Sequence, residues 1–304
     1  MTTGARFSGA KGGAALLLAC GLFLAGCSTA EAPDSAESAP SFSDLKVVPG
    51  AAKLDVATEA ITLPVDQYGM SVLESRIIDY AVLLQQKDCM AEKGVDFPVV
   101  KPFNSFDDPP GGDYEGGPTP NHIWGLWNLE TAAKWGYEDP PNELQERMMA
   151  ANATPLSAEG EKAASSCREE VSAASSVGVD KLFGDDTSIT YRAQFHTLPE
   201  DTPAGKEVYA SWAACLAKDG LKPAEDNPNI PAGALEMGRE DQINAAIKDV
   251  TCKQETGMIQ QLADIEAAYQ AVYVAKNEAA LVAWRAKIQD MVDESEDIIR
   301  AREG

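Results

Sequence analysis

From Glu240 to Arg302 the chain contains no proline and a single glycine, Gly257. A stretch this long is nearly free of the two residues that most often end or kink a helix. Its apolar residues keep helical spacing: Leu262, Ile265, Tyr269 and Val272 make one stripe, and Leu281, Trp284, Ile288 and Met291 make another. The pattern predicts one long C-terminal helix over about 240–302, roughly 95 Å at 1.5 Å per residue. A compact domain does not need a rod of that length, and the phase of the stripe slips between 273 and 280. The expectation is that the last third projects or forms a coiled-coil-like arm, with a hairpin near Asn277 as the alternative.

The rest of the chain also reads as helix and loop. Ser71 and Glu74 form a capping box, followed by Leu73, Ile77, Tyr80 and Leu84 at spacings of four, three and four. That predicts a helix over about 71–92, closed by Gly94. Shorter helices are expected at about Leu129–Trp135, from Asn142 to about Ala151, and from Ser157 to about Ser175. Thr202 as N-cap with Pro203 at the first helical position starts another, through Val208, Trp212 and Cys215, and Gly220 ends it. Residues 177–200 and the proline-rich 223–231 read as irregular, and no convincing strand pattern appears. The fold class is mostly α.

The N-terminus carries an address. Arg6 and Lys11 precede an apolar run from Gly12 to Ala25, which is roughly 14 residues and short of the ~20 needed to span a bilayer. Leu24-Ala25-Gly26-Cys27 resembles a bacterial lipobox, in which the cysteine is acylated and becomes the first mature residue. Residues 1–26 are therefore expected to be a lipoprotein signal peptide, with Cys27 the lipid anchor to the outer face of the cell membrane. The Ala, Ser, Pro and acid-rich stretch over 27–48 cannot bury enough surface to fold. As a coil of about 20 residues it is a tether of roughly 25 Å. Residues 49–304 form the helical extracytoplasmic domain.

With Cys20 leaving in the signal peptide and Cys27 acylated, Cys89, Cys167, Cys215 and Cys252 remain. An even number in an oxidising compartment points to two disulfides, for which three pairings exist. No C-x-x-C pair is present and neither histidine is near a cysteine, so zinc is not expected. An internal comparison favours one pairing. Cys89-Met-Ala-Glu-Lys-Gly94 aligns with Cys215-Leu-Ala-Lys-Asp-Gly220, each the last turn of a helix on a glycine cap. Each is followed by a helical segment with one more cysteine, at Cys167 and at Cys252. The chain thus reads as two related helix–loop–helix units, about 66–176 and 200–260, with Cys89 paired to Cys167 and Cys215 to Cys252.

Formal charge is −23 at pH 7, from 48 acidic and 25 basic side chains. So acidic a surface repels nucleic acid, which is excluded as a partner. There is no G-x-S-x-G elbow, Walker A loop or H-E-x-x-H helix, and neither His122 nor His196 has a partner at a telling spacing. Asp107, Asp108, Asp113 and Glu115 cluster in a Gly/Pro loop but match no calcium-binding loop, and Asp185-Asp186 reads as a turn. No enzyme activity, metal or cofactor is expected. The best binding candidate is the aromatic segment 103–137, with Phe103, Phe106, Tyr114, Trp124, Trp127, Trp135 and Tyr137. Trp124 and Trp127 lie three apart and would share one face of a helical turn. They either seal the segment onto the helices or offer a platform that, with Trp135 and Tyr137, takes a peptide or glycan.

Asp249-Val-Thr-Cys252-Lys-Gln-Glu-Thr-Gly257, followed by Glu266-Ala-Ala-Tyr269-Gln270, resembles a family of actinobacterial secreted proteins and lipoproteins. The matching features are Cys89-Met-Ala-Glu-Lys-Gly94, Ala133-Lys-Trp-Gly-Tyr137 and Trp212-Ala-Ala-Cys215, and together they span most of residues 70–300. The resemblance implies a helical extracytoplasmic domain with paired cysteines. Its members are often encoded beside an exporter-type ABC transporter and an envelope adaptor with a peptidoglycan-binding module, and it carries no catalytic residue to transfer. The expected role is a non-catalytic accessory protein of an envelope complex, such as an ABC transporter system, that presents its long C-terminal helix to a protein partner. The alternative is a lipoprotein that binds a peptide or glycan through the aromatic loop.

Overall fold

A computed structural model describes residues 45–106, 121–141, 143–151, 153, 155–182 and 198–303. The stretch read as a signal peptide, Cys27, nearly all of the stretch read as a tether, the acidic cluster with Tyr114, Asp185-Asp186 and His196 lie outside the described residues. The described chain opens on a small antiparallel hairpin, β1 (Lys53–Asp55) with β2 (Ala60–Thr62), in register Lys53–Thr62, Leu54–Ile61 and Asp55–Ala60. No strand was expected. Three-residue strands are too short to leave an alternating pattern, and this pair is held by its turn and by what lies beneath it.

The helices start where side-chain caps satisfy orphan backbone N–H groups. Ser71 and Glu74 close a reciprocal capping box on α1 (Val72–Glu92). The Asn128 side chain accepts from the Glu130 and Thr131 N–H groups at the head of α2 (Leu129–Trp135). After α3 (Glu143–Ala151), Ser157 caps α4 (Ala158–Ala174), and the short α5 (Val179–Leu182) follows within the stretch read as irregular. Thr202 caps α6 (Pro203–Lys218), with proline at the first helical position. The chain ends in α7 (Arg239–Thr256) and the 46-residue α8 (Met258–Glu303).

The single glycine of the long run is where the rod breaks. Gly257 takes φ +63°, a left-handed conformation, and its N–H bonds back to the last turn of α7. That geometry costs an L side chain and costs glycine little. The expected single helix over 240–302 is therefore two helices meeting at one residue. Beyond the break α8 is continuous through Asn277, so there is no hairpin there.

Nor does the last third project. Around the first half of α8, Ile259, Leu262 and Ala263 pack with Trp212, Leu216, Trp124, Trp127 and Ile61. Around the second half, Ile288, Val292 and Ile299 pack with Leu73, Ile77, Tyr80, Leu84 and Phe103. Between Tyr273 and Leu281, both buried, most side chains are exposed. The phase slip in the sequence marks the point where the helix turns its apolar stripe from one core to the other. α1 runs in the same direction as the end of α8. Glu74 pairs with Arg285, Asp88 accepts from Arg302 Nε at 2.7 Å, and Glu303 accepts from the Tyr80 hydroxyl at 2.6 Å.

Cys89 at the end of α1 is bonded to Cys167 in α4, and Cys215 near the end of α6 to Cys252 in α7. With loops of 78 and 37 residues, each bridge stabilises by about 4 kcal/mol on the chain-entropy estimate. The C-terminal stretch first read as an arm is thus core. Deletion of residues 276–304 is expected to unfold the α1–α4–α5 lobe, read by circular dichroism as a helical loss larger than the deleted residues supply. A truncated chain that keeps the remaining helix content would contradict this.

Candidate functional site

Asp249 and Lys253 stand one turn apart on α7, and both side chains are wholly buried. The ammonium uses its three protons: it donates to Leu126 O at 3.0 Å, Asn229 O at 2.9 Å and Asp249 Oδ2 at 3.0 Å. The carboxylate is equally satisfied. Oδ1 accepts from Trp212 Nε1 at 2.9 Å and Oδ2 from the Tyr137 hydroxyl at 2.9 Å. Burial pushes the Lys253 pKa down and the Asp249 pKa up, and their mutual attraction opposes both shifts. Burial and the adjacent carboxylate raise the Tyr137 hydroxyl above its usual range. Three segments far apart in sequence, around Tyr137, Trp212 and Asp249–Lys253, meet in this one knot.

The second polar knot holds the loop over 121–128. Glu59 sits at the end of the β-hairpin turn with φ +52°, a conformation costly for a side chain other than glycine, and is 2 % exposed. Its Oε1 accepts from the Trp127 and Asn128 N–H groups at 3.0 and 2.8 Å, and its Oε2 lies 3.0 Å from His122 Nε2. Burial alone would raise the Glu59 pKa. The His122 contact and the two backbone donors outweigh it, and the carboxyl sits below its ordinary value. His122, which the sequence left without a partner, has one 63 positions upstream that only the fold reveals. Gly125, at φ +80°, is needed here: a Cβ on it would come within 2.5 Å of Asn229 O and 2.7 Å of Lys253 Nζ.

This arrangement removes the tryptophan platform. Trp124 and Trp127 lie in a loop, not on a helical turn, and are 2 % and 3 % exposed. Trp127 Nε1 donates to Asn121 O at 2.9 Å and Trp124 Nε1 to Glu200 at 3.3 Å. Trp135 is half-buried with Lys134 Nζ 4.9 Å above its ring, and Tyr137 is taken up by Asp249. Trp124 and Trp127 seal the core and do not face solvent as a stacking surface.

The open feature lies elsewhere. A cleft of about 700 Å³ runs between α1, the extended segment through Val100 and Pro102, and α3. Leu83, Val100, Pro102, Leu144, Met148 and Met149 line it, with Met149 65 % exposed. A smaller pocket of about 180 Å³ sits at the α7–α8 junction between Trp127 and Ile259. Sequence reading missed the cleft because its walls come from three separate segments; the only trace was the Met148-Met149 pair on a short helix otherwise rich in polar residues. Among the described residues, no group of three His, Cys, Asp or Glu side chains is placed to hold a metal, and no helix is long and apolar enough to cross a membrane. No protein-family model, curated protein or solved structure matches the chain.

Both knots give measurable consequences. Lys253→Met leaves a buried carboxylate without its counter-ion and strips two carbonyls of their donor, so a loss of about 3–5 kcal/mol in denaturant unfolding is expected. A loss below 1 kcal/mol would mean that the knot relaxes freely. Because the folded pKa of Glu59 is depressed, its stabilisation is present above the ordinary glutamate value of 4.5 and is lost as pH falls through the lower folded value. Glu59→Gln should flatten that acid limb of a stability-against-pH curve. An unchanged limb would assign acid sensitivity to other groups.

Proposed function

We propose that this chain is an extracytoplasmic lipoprotein of the cell envelope, anchored through Cys27, that works by binding a protein partner and carries no catalytic chemistry. One contrast supports the reading. The described side chains best suited to chemistry, Lys253, Asp249, Glu59 and His122, are held in internal bonds, whereas the large cleft on the other lobe is apolar and open. Apolar clefts with methionine walls suit adaptable protein contacts. The partner belongs to an envelope complex such as an ABC transporter system, as the resemblance to actinobacterial lipoproteins implies. We also take α1–α4 and α6–α7 as copies of one helix–loop–helix unit. Both cysteine-bearing first helices end on a glycine at nearly the same angle, φ +73° at Gly94 and +74° at Gly220.

The alternative, recognition of a glycan or peptide by the aromatic loop, has less support, because Trp124 and Trp127 are buried. Presentation of the C-terminal helix as an arm is likewise replaced by presentation of the cleft that this helix supports. Two measurements test the proposal. Cys27→Ala is expected to move the protein from the membrane fraction to the soluble one. In-cell crosslinking of the wild-type lipoprotein with mass spectrometry is expected to recover an envelope protein near stoichiometry. Membrane retention of Cys27→Ala, or turnover of a substrate by the purified protein, would overturn it.

A further inference from the structure

The cleft allows a closer statement about what it binds, and this rests on the interaction reading above. Its walls are two helices and one extended segment, Phe97-Pro98-Val99-Val100-Lys101-Pro102. Added strands need a row of backbone donors, and the prolines at 98 and 102 remove two of them. Binding by strand addition is therefore poorly served. A helix laying apolar side chains into the cleft needs no backbone donors from it, and anchors spaced three and four apart would fill such a volume.

Charge narrows the choice further. Two charged side chains of α1 line the same cleft: Arg76 donates to Pro102 O at 3.5 Å, and the exposed Asp79 has as its one hydrogen-bond partner among the described residues the Ser75 hydroxyl, at a long 3.5 Å. Partial shielding by the cleft raises the Asp79 pKa against the Ser75 hydrogen bond, and a cation laid over it by an incoming chain would favour its charged form. The chain as a whole is at −23, which repels a second copy and draws basic surfaces. A carboxylate at the lip of the cleft also disfavours an acyl chain, and the Tyr80 ring in the wall is buried and its hydroxyl already given to Glu303, so no face is left for a sugar.

We infer that the α1–α3 cleft receives an amphipathic helical segment of an envelope protein, with its apolar face against Leu83, Val100 and Met149 and a lysine or arginine set against Asp79. Methionines at the rim let one cleft adjust to the side chains of that helix, while the carboxylate fixes its register.

The test uses the full lipidated chain in its own cells, with a photo-crosslinking amino acid at Met149 and, separately, at exposed Val282 on α8 as a position outside the cleft. Crosslinked peptides are sequenced. The expected result is that Met149 crosslinks to one segment with apolar residues at three and four spacing and a basic residue within a turn of the crosslinked position. Asp79→Asn should lower that yield about tenfold or more, as loss of a charge-assisted hydrogen bond does, and Leu83→Asp should abolish it. Circular dichroism of each variant checks that the fold is kept. Crosslinks from Met149 to lipid, to a second copy or to a segment lacking a basic residue would overturn the inference, as would a yield indifferent to Asp79→Asn. A partner captured from Val282 and not from Met149 would sink the cleft and leave the interaction reading standing. No protein captured from either position would sink both.

Discussion

Everything in this molecule leans on α8. A helix of 46 residues would be a poor element for a compact domain if it had one apolar stripe, because most of its length would stay wet. It has two, out of phase, and each completes a separate core. The first supports α6, α7 and the β-hairpin; the second supports α1 and α5, and α4 is held in turn by α1 through Met90, Ala164 and the Cys89–Cys167 bridge. Each lobe carries its own disulfide, so the covalent constraints act within the lobes and α8 joins them. At about 25 cal/mol per Å² of apolar burial, neither lobe would hold its large residues out of water without the rod between them.

The buried Lys253–Asp249 pair plays a different part. By area alone an apolar substitute would serve as well or better, since desolvating two charges is expensive. What the pair adds is directional. Beside the bond that joins the two, four hydrogen bonds reach α2's downstream tyrosine, the Trp212 ring of α6, the 121–128 loop and the loop at Asn229. A hydrophobic filler could sit there in several arrangements; three ammonium protons and two carboxylate oxygens accept very few. The Gly125 approach to Lys253 belongs to the same device, because the loop must lie close enough for its carbonyl at Leu126 to be reached.

The sequence was most readable where local chemistry decides structure. Capping residues at Ser71, Ser157 and Thr202 gave helix starts, the glycines at 94 and 220 gave ends, and the even cysteine set gave two bridges. Gly257 was visible as the sole glycine in its run, but whether an isolated glycine bends a helix or is absorbed depends on tertiary contacts. The phase slip after Tyr273 was equally visible and was taken for an arm, since nothing local says that a second core awaits the second stripe. Asp249 and Lys253 sit at a spacing that in most chains marks a solvated ion pair. Glu59 and His122 are 63 positions apart, and the cleft is drawn from three segments; partnerships of that kind are fixed only when the chain closes on itself.

The hairpin end of the chain is pinned to α8 as well: Asp264 accepts from the Gly50 and Ala52 N–H groups at 2.8 and 3.0 Å. Near the opposite end of the same helix, Glu303 meets Tyr80 beside the cleft. From Asp264 to Glu303 is roughly 60 Å at 1.5 Å per residue. The hairpin end of the described chain and the cleft are thus set apart by a stiff spacer. Under the proposed anchoring at Cys27, that spacing sets reach: the rod determines how far from the hairpin end of the fold a partner is met.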